Sequence, residues 1–315
     1  MRLKLLYYIL LLPLFGLAQF PGPAGQSGST AIFKTDPSIV AWCNRCEVNR
    51  GPQNIAIIGS QPASTGDSTA VIGAAQENGV VSLGDGGSAT CYFQVAITNG
   101  PGHDFAVFEN SFNDTYLEFA FVEVSSDGIH FFRFPSQSSQ DTLLQIGPYD
   151  TCNTRQVNHL AGKYRSGYGT PFDLELLKGV TGLDINYITC VRIVDVVGSL
   201  DKTYGQRDSY GHLINDPWPT DFASSGFDLD AVAVMHAQPL QINENTLKNK
   251  KEVSVYRLNE QLLVSDFSGP IQLLDITGRI LFTSQEGAIT FQLTEPGWLI
   301  LTDGRQRRRI FVQAP

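Results

Sequence analysis

Short runs of apolar residues, or of alternating apolar and polar residues, recur along the first 240 residues, and turn residues separate them. Successive side chains of a β-strand point to opposite faces, so this alternation predicts strands with one buried face. Turn signals such as Asn99-Gly100-Pro101-Gly102 lie between the runs, and the best short candidate for a helix is Phe172–Lys178. The predicted strands are Val80–Leu83, Ala89–Thr98, Phe105–Glu109, Glu118–Ser125, Phe131–Phe134, Cys190–Val197 and Leu229–His236.

This series of strands predicts an all-β fold, and its turn spacing favours a jelly-roll-like antiparallel β-sandwich over residues 19–237. A polar stretch at residues 238–252 predicts a linker. Residues 253–315 then predict a small Ig-like β-sandwich, of a size near the lower limit for independent folding. Its predicted strands are Val253–Leu258, Gln261–Val264, Ile271–Ile276, Arg279–Phe282, Ile289–Leu293, Trp298–Leu301 and Arg309–Val312.

The first 18 residues have the pattern of a secretory signal peptide. Arg2 and Lys4 precede an apolar run, Leu5–Leu17, which ends in small residues around Ala18. The run is too short to span a bilayer comfortably, and no later apolar stretch reaches the roughly twenty residues of a spanning helix. We therefore expect a secreted, extracellular protein without a transmembrane segment.

Composition and charge narrow the classes of partner. Hydrophobic residues make up 42% of the chain, enough for a packed core. The net charge of −9 is uneven: residues 19–247 carry 11 Lys and Arg against 24 Asp and Glu, hence −13, whereas residues 248–315 carry nine against seven, hence +2. A domain this acidic is a poor ligand for nucleic acid, because neutralising phosphates requires clustered Lys and Arg. Its carboxylates suit divalent cations, or serve solubility alone.

Because we expect the protein to be secreted, we expect its five cysteines to be exposed to an oxidising environment. Cys43 and Cys46 have the spacing of a redox or zinc motif, but no second such pair accompanies them. We expect one or two structural disulfides and one free thiol, with metal binding as the less favoured alternative. The spacing does not fix which cysteines pair.

Acidic residues in two predicted strands suggest a calcium site. Alternation from Phe227 onward places Asp228 and Asp230 on the face of the core valines. In the strand Cys190–Val197 the same alternation places Asp195 on the face of Val191 and Ile193. If these two strands are neighbours, three buried carboxylates converge, and a bound cation would offset their cost. The alternative is that these aspartates cap the intervening loop through backbone N–H groups. The candidate ligands of this structural calcium are Asp195, Asp228, Asp230 and Asn215, joined by Asp104 or Glu109.

Two segments rich in aromatic residues, Ala161–Leu174 and Gly198–Gly226, could form either a hydrophobic lid over the end of the sandwich or a ligand platform. Gly198–Gly226 is a long stretch without periodicity, and loops of that length are usually functional. Aromatic faces beside Asp, Asn and Arg suit a glycan or a large planar cofactor, although such aromatics also serve as a hydrophobic lid. The candidate ligand-binding residues are Tyr164, Arg165, Tyr168, Tyr204, Arg207 and Trp218.

Catalytic motifs are missing from the sequence. It contains neither a G-x-S-x-G elbow nor an H-E-x-x-H helix, and its five histidines are scattered without a nucleophile partner. A glycosidase needs only two facing carboxylates, so a carbohydrate-active enzyme stays as an alternative. We expect non-catalytic ligand binding and name no catalytic residue.

The C-terminal region resembles a known export module. Ile271–Leu281 (IQLLDITGRIL), Pro296–Leu301 (PGWLIL) and Arg308–Val312 (RRIFV) together resemble the type A C-terminal sorting domain of type IX secretion cargo. The Pro-Asn-Pro signature usual at the start of that domain is missing, and Trp298 stands where Tyr is common. The resemblance implies passage through the type IX machinery to the outer-membrane surface, followed by release or attachment to surface lipopolysaccharide.

Segments of the first domain resemble a group of bacterial secreted cell-surface proteins. The resemblance rests on Asn99–Asn110 (NGPGHDFAVFEN), Phe121–Pro135 (FVEVSSDGIHFFRFP), Ala161–Leu174 (AGKYRSGYGTPFDL), Ile214–Pro219 (INDPWP) and Gly226–Val232 (GFDLDAV). Members of this group are often exported proteins with sorting tails, so the resemblance implies export to the cell surface. Some members are thought to accompany cobalamin uptake across the outer membrane, so a cobalamin-capture accessory is a further alternative.

Overall fold

The structure is a computed structural model that describes residues 20–240 and the strand-forming parts of residues 254–312. The chain divides into two compact units, Met1–Leu240 and Gln241–Pro315. The predicted signal peptide and most of the predicted linker lie outside the described residues. Within the described residues, no helix is both long and apolar enough to cross a membrane.

The first unit is built almost entirely of β-strands. Two short 3₁₀ turns, Thr154–Gln156 and Leu174–Leu177, interrupt the series. The strands are β1 (Ile32–Phe33), β2 (Ala41–Trp42), β3 (Arg45–Asn49), β4 (Val81–Ser82), β5 (Ser88–Ile97), β6 (Phe105–Glu109), β7 (Ala120–Ser125), β8 (Phe132–Arg133), β9 (Gln137–Ser138), β10 (Val157–Asn158), β11 (Tyr168–Phe172), β12 (Ile188–Asp195), β13 (Asp228–Val234) and β14 (Ala237–Pro239).

These strands form two main antiparallel sheets. One sheet has the order β1-β11-β6-β13-β2, with β4 also paired to β13. The other has the order β14-β5-β12-β7-β8, with β3 also paired to β5. One buried cluster combines side chains of both sheets, such as Phe105 and Val232 from the first and Val122 and Ile193 from the second. The all-β sandwich predicted from the sequence is therefore confirmed.

Burial follows the strand pattern and explains the element assignments. In β5 the buried and partly exposed side chains alternate over most of its length, as expected for one core-facing side. Every residue of β13 is buried, and its pairing with β6 shifts register between Leu229 and Ala231. In a regular strand, residues three apart point to opposite faces. Because of the register shift, Leu229 and Val232 instead belong to the same core cluster.

The predicted strands of the first unit correspond to β4, β5, β6, β7, β8, β12 and β13. The predicted helix at Phe172–Lys178 is instead the end of β11 followed by the 3₁₀ turn Leu174–Leu177. Asp173 caps that turn by accepting a hydrogen bond from the Glu175 N–H at 2.9 Å. Gln238 and Pro239, placed in the linker by the sequence, belong to β14.

The second unit contains a two-stranded and a four-stranded antiparallel sheet. The first pairs β15 (Ser254–Leu258) with β16 (Gln261–Ser265). The second has the order β18-β17-β19-β20 and contains a buried Leu273. Its strands are β17 (Ile271–Asp275), β18 (Ile280–Ser284), β19 (Gly297–Thr302) and β20 (Arg307–Val312). The predicted strand Ile289–Leu293 lies outside the described residues.

Candidate functional site

A cleft of about 480 Å³ opens in the first unit, and we call it the polar cleft. Four stretches of chain form most of its walls: 114–115, 140–146, 151–156 and the single residue Asn215. Its volume lies within the range of roughly 300–1,000 Å³ in which small-molecule sites fall. The lining residues are Pro23, Asp114, Thr115, Gln140, Asp141, Leu144, Ile146, Thr151, Cys152, Asn153, Thr154, Gln156 and Asn215.

One wall of the polar cleft is the 3₁₀ turn that begins at Thr154. The Asn153 side chain caps this turn by accepting a hydrogen bond from the Arg155 N–H at 3.0 Å. Thr154 is buried, and its Oγ1 has no hydrogen-bond partner within the described residues. An unsatisfied buried hydroxyl is uncommon, because its desolvation is uncompensated. Because this oxygen is itself buried, a ligand in the cleft would satisfy it only after the Thr154 side chain rotated toward the cleft.

Asn215 holds another part of the cleft wall, the segment 140–146, through hydrogen bonds. Its Oδ1 accepts a hydrogen bond from the Ile146 N–H at 3.0 Å. Its Nδ2 donates to the backbone carbonyls of Asp141 and Leu144, at 2.8 Å each. These bonds commit the amide to holding the 140–146 segment. Beside it, Leu143 and Leu144 are 86% and 81% exposed, so the wall presents apolar surface to solvent.

The rim of the polar cleft holds a charged pair. Arg165 Nη1 lies 2.7 and 2.8 Å from the two carboxylate oxygens of Asp114. The same nitrogen donates to the Ala24 carbonyl at 3.1 Å, and the guanidinium lies 4.7 Å from the centroid of the Tyr168 ring. The bond to Asp114 raises the pKa of Arg165 above its usual value. Asp114 and Arg165 thus form a partly exposed ion pair at the cleft.

A second, smaller cavity of about 90 Å³ has three carboxylates in its wall, and we call it the acidic cavity. Glu109 ends β6 and Asp228 begins β13, where Leu229 is the register partner of Glu109. Glu118 comes from the segment that precedes β7. The lining residues are Glu109, Asn110, Ser111, Phe112, Tyr116, Glu118, Phe222, Ser224 and Asp228.

The three carboxylates of the acidic cavity differ in their hydrogen bonds. Glu109 Oε2 accepts from the Ser111 N–H at 2.9 Å and from the Ser111 hydroxyl. Asp228 accepts from the Ser82 hydroxyl. Glu118 is buried, and among the described residues it makes neither a side-chain hydrogen bond nor an ion pair. Glu118 therefore has the fewest interactions to offset the cost of burying its carboxyl group.

Burial is the main cause of the raised pKa values in this cavity. It raises the pKa of Glu109 to about 8 and that of Asp228 to about 6. Burial raises the pKa of Glu118 well above its usual value, and the negative charges of Asp228 and Glu109 add to the effect. Each carboxylate thus carries a desolvation cost, and repulsion from neighbouring carboxylates adds a separate cost for Glu118 and Glu109.

The other aspartates proposed as calcium ligands act as caps for backbone groups. Asp195 accepts from the N–H groups of Gly86 and Phe227, at 2.8 and 2.7 Å. Asp230 accepts from the Gln76 N–H at 3.0 Å. Asp104 accepts from the N–H groups of Gly100 and Leu174 at 2.7 Å each, and its Oδ1 lies 2.8 Å from His236 Nδ1. These aspartates thus cap backbone groups, but apart from Phe227 the capped residues lie outside the loop between the two strands that the capping alternative named.

The assumption that the strands of Asp195 and Asp228 are neighbours in one sheet is wrong. Asp195 lies on β12 and Asp228 on β13, and the two strands belong to different sheets. The register shift in β13 also breaks the alternation that was to align Asp228 with Asp230. Among the described residues, no group of three or more His, Cys, Asp or Glu is arranged to hold a metal ion as it stands.

The residues predicted to form a ligand platform make separate contacts with different parts of the first unit. Tyr164 is buried with its hydroxyl 2.9 Å from Thr30 Oγ1. Tyr204 and Trp218 stack with their ring centroids 6.4 Å apart, and Trp218 Nε1 donates to Asp85 at 3.1 Å. Arg207 donates to the Gly211 carbonyl at 2.6 Å. The linings of the polar cleft and the acidic cavity consist of other residues, although Arg165 reaches the cleft through Asp114.

The sequence gives no local signal for Thr154 or Glu118. Thr154 lies in a polar stretch that holds no predicted strand, and Glu118 stands at the start of a predicted strand, where a carboxylate is usually solvated. Thr154 and Glu118 become candidate site residues only because the fold places them in the walls of the polar cleft and the acidic cavity.

No family model matches the chain, and no curated protein matches it. Among solved structures, the chain is similar to the β-glucuronidase from Ruminococcus gnavus in complex with uronic isofagomine. The identity is 11% and the TM-score 0.23, over 87% of this chain and 44% of that chain. The apo structure of β-glucuronidase from Ruminococcus gnavus gives 10% and 0.22, over 87% and 45%. The chain thus spans less than half the length of these chains, and at such TM-scores the likeness carries no inference about function.

Proposed function

We propose that the protein is an exported, non-catalytic cell-surface binding protein that takes a small polar ligand, such as a glycan unit, into the polar cleft. The observation that carries this proposal is the unsatisfied hydroxyl of Thr154 in the wall of a cleft of about 480 Å³. A ligand hydroxyl or amide that bonded to Thr154 would remove the cost of that buried group. The volume suits a ligand of one or two sugar rings.

The composition of the cleft wall supports a ligand that is polar on one side and apolar on the other. Gln140, Asn153 and Gln156 supply amide groups, whereas Leu144 and Ile146 supply apolar surface. Sugars combine hydroxyl groups with apolar ring faces, so this mixture fits them.

Binding is favoured over hydrolysis by the state of the carboxylates that line the cleft. These are Asp114 and Asp141, and Asp114 is held by Arg165 at 2.7 Å. A glycosidase requires two carboxyl groups that can act on the sugar from opposite sides. An aspartate committed to a guanidinium is poorly suited to that role.

A ligand screen followed by one matched pair of variants tests the proposal. Isothermal titration of the protein with soluble glycans and cobamides is expected to find a binder. Thr154→Val should weaken that binder by about tenfold, corresponding to roughly 1.4 kcal/mol for a lost hydrogen bond, while Thr154→Ser should retain binding. Thr154→Val should also leave the free protein as stable as before, or more stable, because it removes an unsatisfied hydroxyl.

Two results would contradict the cleft assignment. The first is a binder whose affinity is equal for the wild type and Thr154→Val. The second is loss of binding in Tyr168→Ala and Trp218→Ala without any loss in Thr154→Val, which would place the ligand on the aromatic segments.

A further inference from the structure

The acidic cavity concentrates buried carboxyl groups where the protein supplies little compensation for their charged forms. Glu109, Glu118 and Asp228 reach it from three different segments, and all three are buried. Of the described residues that line the cavity, none is basic. Arg50 lies near enough to lower the pKa of Asp228, but its guanidinium donates to the carbonyls of Thr65 and Ser82. Buried carboxylates without a counter-charge are costly.

Glu123 shows how the same fold compensates a buried glutamate. Glu123 is 7% exposed and Glu118 is 8% exposed, so their burial is comparable. Glu123 accepts from Arg133 Nε at 2.9 Å and from Arg192 Nε at 2.6 Å, whereas Glu118 has no such partner among the described residues. The Glu118 side chain lines the acidic cavity instead. A cation inside the cavity would supply this missing partner in place of a proton.

We propose that the acidic cavity binds a hard divalent cation of the calcium class, with the carboxylates of Glu109, Glu118 and Asp228 as its protein ligands. Calcium takes six to eight oxygen ligands, and Ser111, Ser224 and Asn110 offer further oxygens in the same wall. A cavity of about 90 Å³ has room for an ion and one or two waters. The three carboxylates line the cavity without converging on a single point, so the unbonded Glu118 side chain would turn inward on binding.

The charge of the site favours a divalent ion over an organic ammonium group. Phe112, Tyr116 and Phe222 line the cavity and could form cation–π contacts with an ammonium ion. A single positive charge would leave three carboxylates mostly uncompensated, whereas a divalent ion neutralises more of their charge. The cation would join the ends of β6 and β13 to the segment before β7, so we expect it to stabilise the sandwich.

Calcium titration of the chelator-treated full-length protein is the direct test. We expect uptake of one equivalent of Ca²⁺ by isothermal titration and a rise in melting temperature, with Mg²⁺ less effective. Tb³⁺ should occupy the same site and be sensitised by Tyr116, so Tyr116→Phe should lower the luminescence while retaining Ca²⁺ binding. No Ca²⁺ heat and no thermal shift would overturn the proposal.

Glu118→Gln separates a cation ligand from a structural residue. In chelator, Glu118→Gln should melt at or above the wild-type temperature, because it replaces a buried ionisable group, whose charged form is costly, by a neutral amide of the same size. In Ca²⁺ it should lose the thermal shift and bind at least about tenfold more weakly. Asp228→Asn should lose the shift as well, and Glu77→Gln, an exposed control, should keep it. Equal Ca²⁺ affinity in Glu118→Gln and the wild type, or methylammonium binding in place of Ca²⁺, would also overturn the assignment.

Discussion

Lys163 is buried with its ammonium group directed at a backbone carbonyl rather than at a carboxylate. Its Nζ donates to the Val157 carbonyl at 2.6 Å and lies 5.8 Å from the centroid of the Phe20 ring. Burial, with a smaller contribution from the charge of Arg155, lowers the pKa of Lys163 to about 7. The folded protein thus holds this proton much less tightly than the unfolded chain does.

This difference predicts a pH-dependent stability. Between about pH 7 and the ordinary lysine pKa of 10.5, the unfolded chain binds the proton and the folded protein does not. The free energy of unfolding should therefore rise with pH across this window, by up to ~1.4 kcal/mol per unit from this group. Lys163→Met should remove that rise, as measured by urea unfolding at several pH values, while the exposed control Lys202→Met should keep it. An unchanged slope in Lys163→Met would contradict the assignment.

At the scale of elements, the pairing of β3 with β5 gathers three cysteines. Cys46 is the direct register partner of Cys91, and the Cys91 thiol is within hydrogen-bonding reach of both Cys43 and Cys46. All five cysteines are free thiols in the structure. Cys152 and Cys190 lie on other elements, in the polar cleft wall and on β12. The sheet register therefore favours Cys91 as one partner of any disulfide.

If the protein is exported, as we propose, we predict that it contains a disulfide between Cys91 and either Cys43 or Cys46. An exported protein meets an oxidising environment, where adjacent thiols form stable disulfides. Peptide mapping by mass spectrometry without reduction should find this link and leave Cys152 and Cys190 alkylatable. Five alkylatable thiols in the exported protein, or a link between Cys152 and Cys190, would contradict the prediction.

At the scale of the whole molecule, the chain divides after Leu240 into a large and a small unit. The polar cleft and the acidic cavity are both built from residues of the large unit. In the small unit, the four-stranded sheet includes the segments IQLLD and RRRIFV, which overlap the motifs that resemble a sorting domain. This division is compatible with separate binding and delivery roles.

Deletion of Val253–Pro315 tests the delivery role. If this region acts as a type IX sorting domain, the truncated protein should accumulate inside the cell envelope and be lost from the surface, as measured by fractionation and surface proteolysis. The truncated chain should still show the Ca²⁺ thermal shift, because the acidic cavity belongs to the large unit. Unchanged surface delivery would contradict the role of this region.

The sequence predicted the long strands well because alternation is a local signal. β5, β6, β7, β12 and β13 were all predicted, since each carries enough apolar residues to mark a buried face. Two-residue strands such as Ile32–Phe33 and Ala41–Trp42 were missed, because so short a run contains no periodicity. The 3₁₀ turn at Leu174–Leu177 was predicted as a helix because one turn of either helix has nearly the same apolar spacing.

The sequence alone determined the class of fold and the presence of acids at strand ends, because strand period and composition are properties of neighbouring residues. Only the tertiary structure decided which acids meet. Asp195 and Asp230 accept hydrogen bonds from backbone N–H groups and are not part of the lining of the acidic cavity. The pairing of β13 with β6 brings Asp228 beside Glu109, and the chain crossing before β7 adds Glu118. Those contacts join residues about a hundred positions apart, and no local pattern encodes such a meeting.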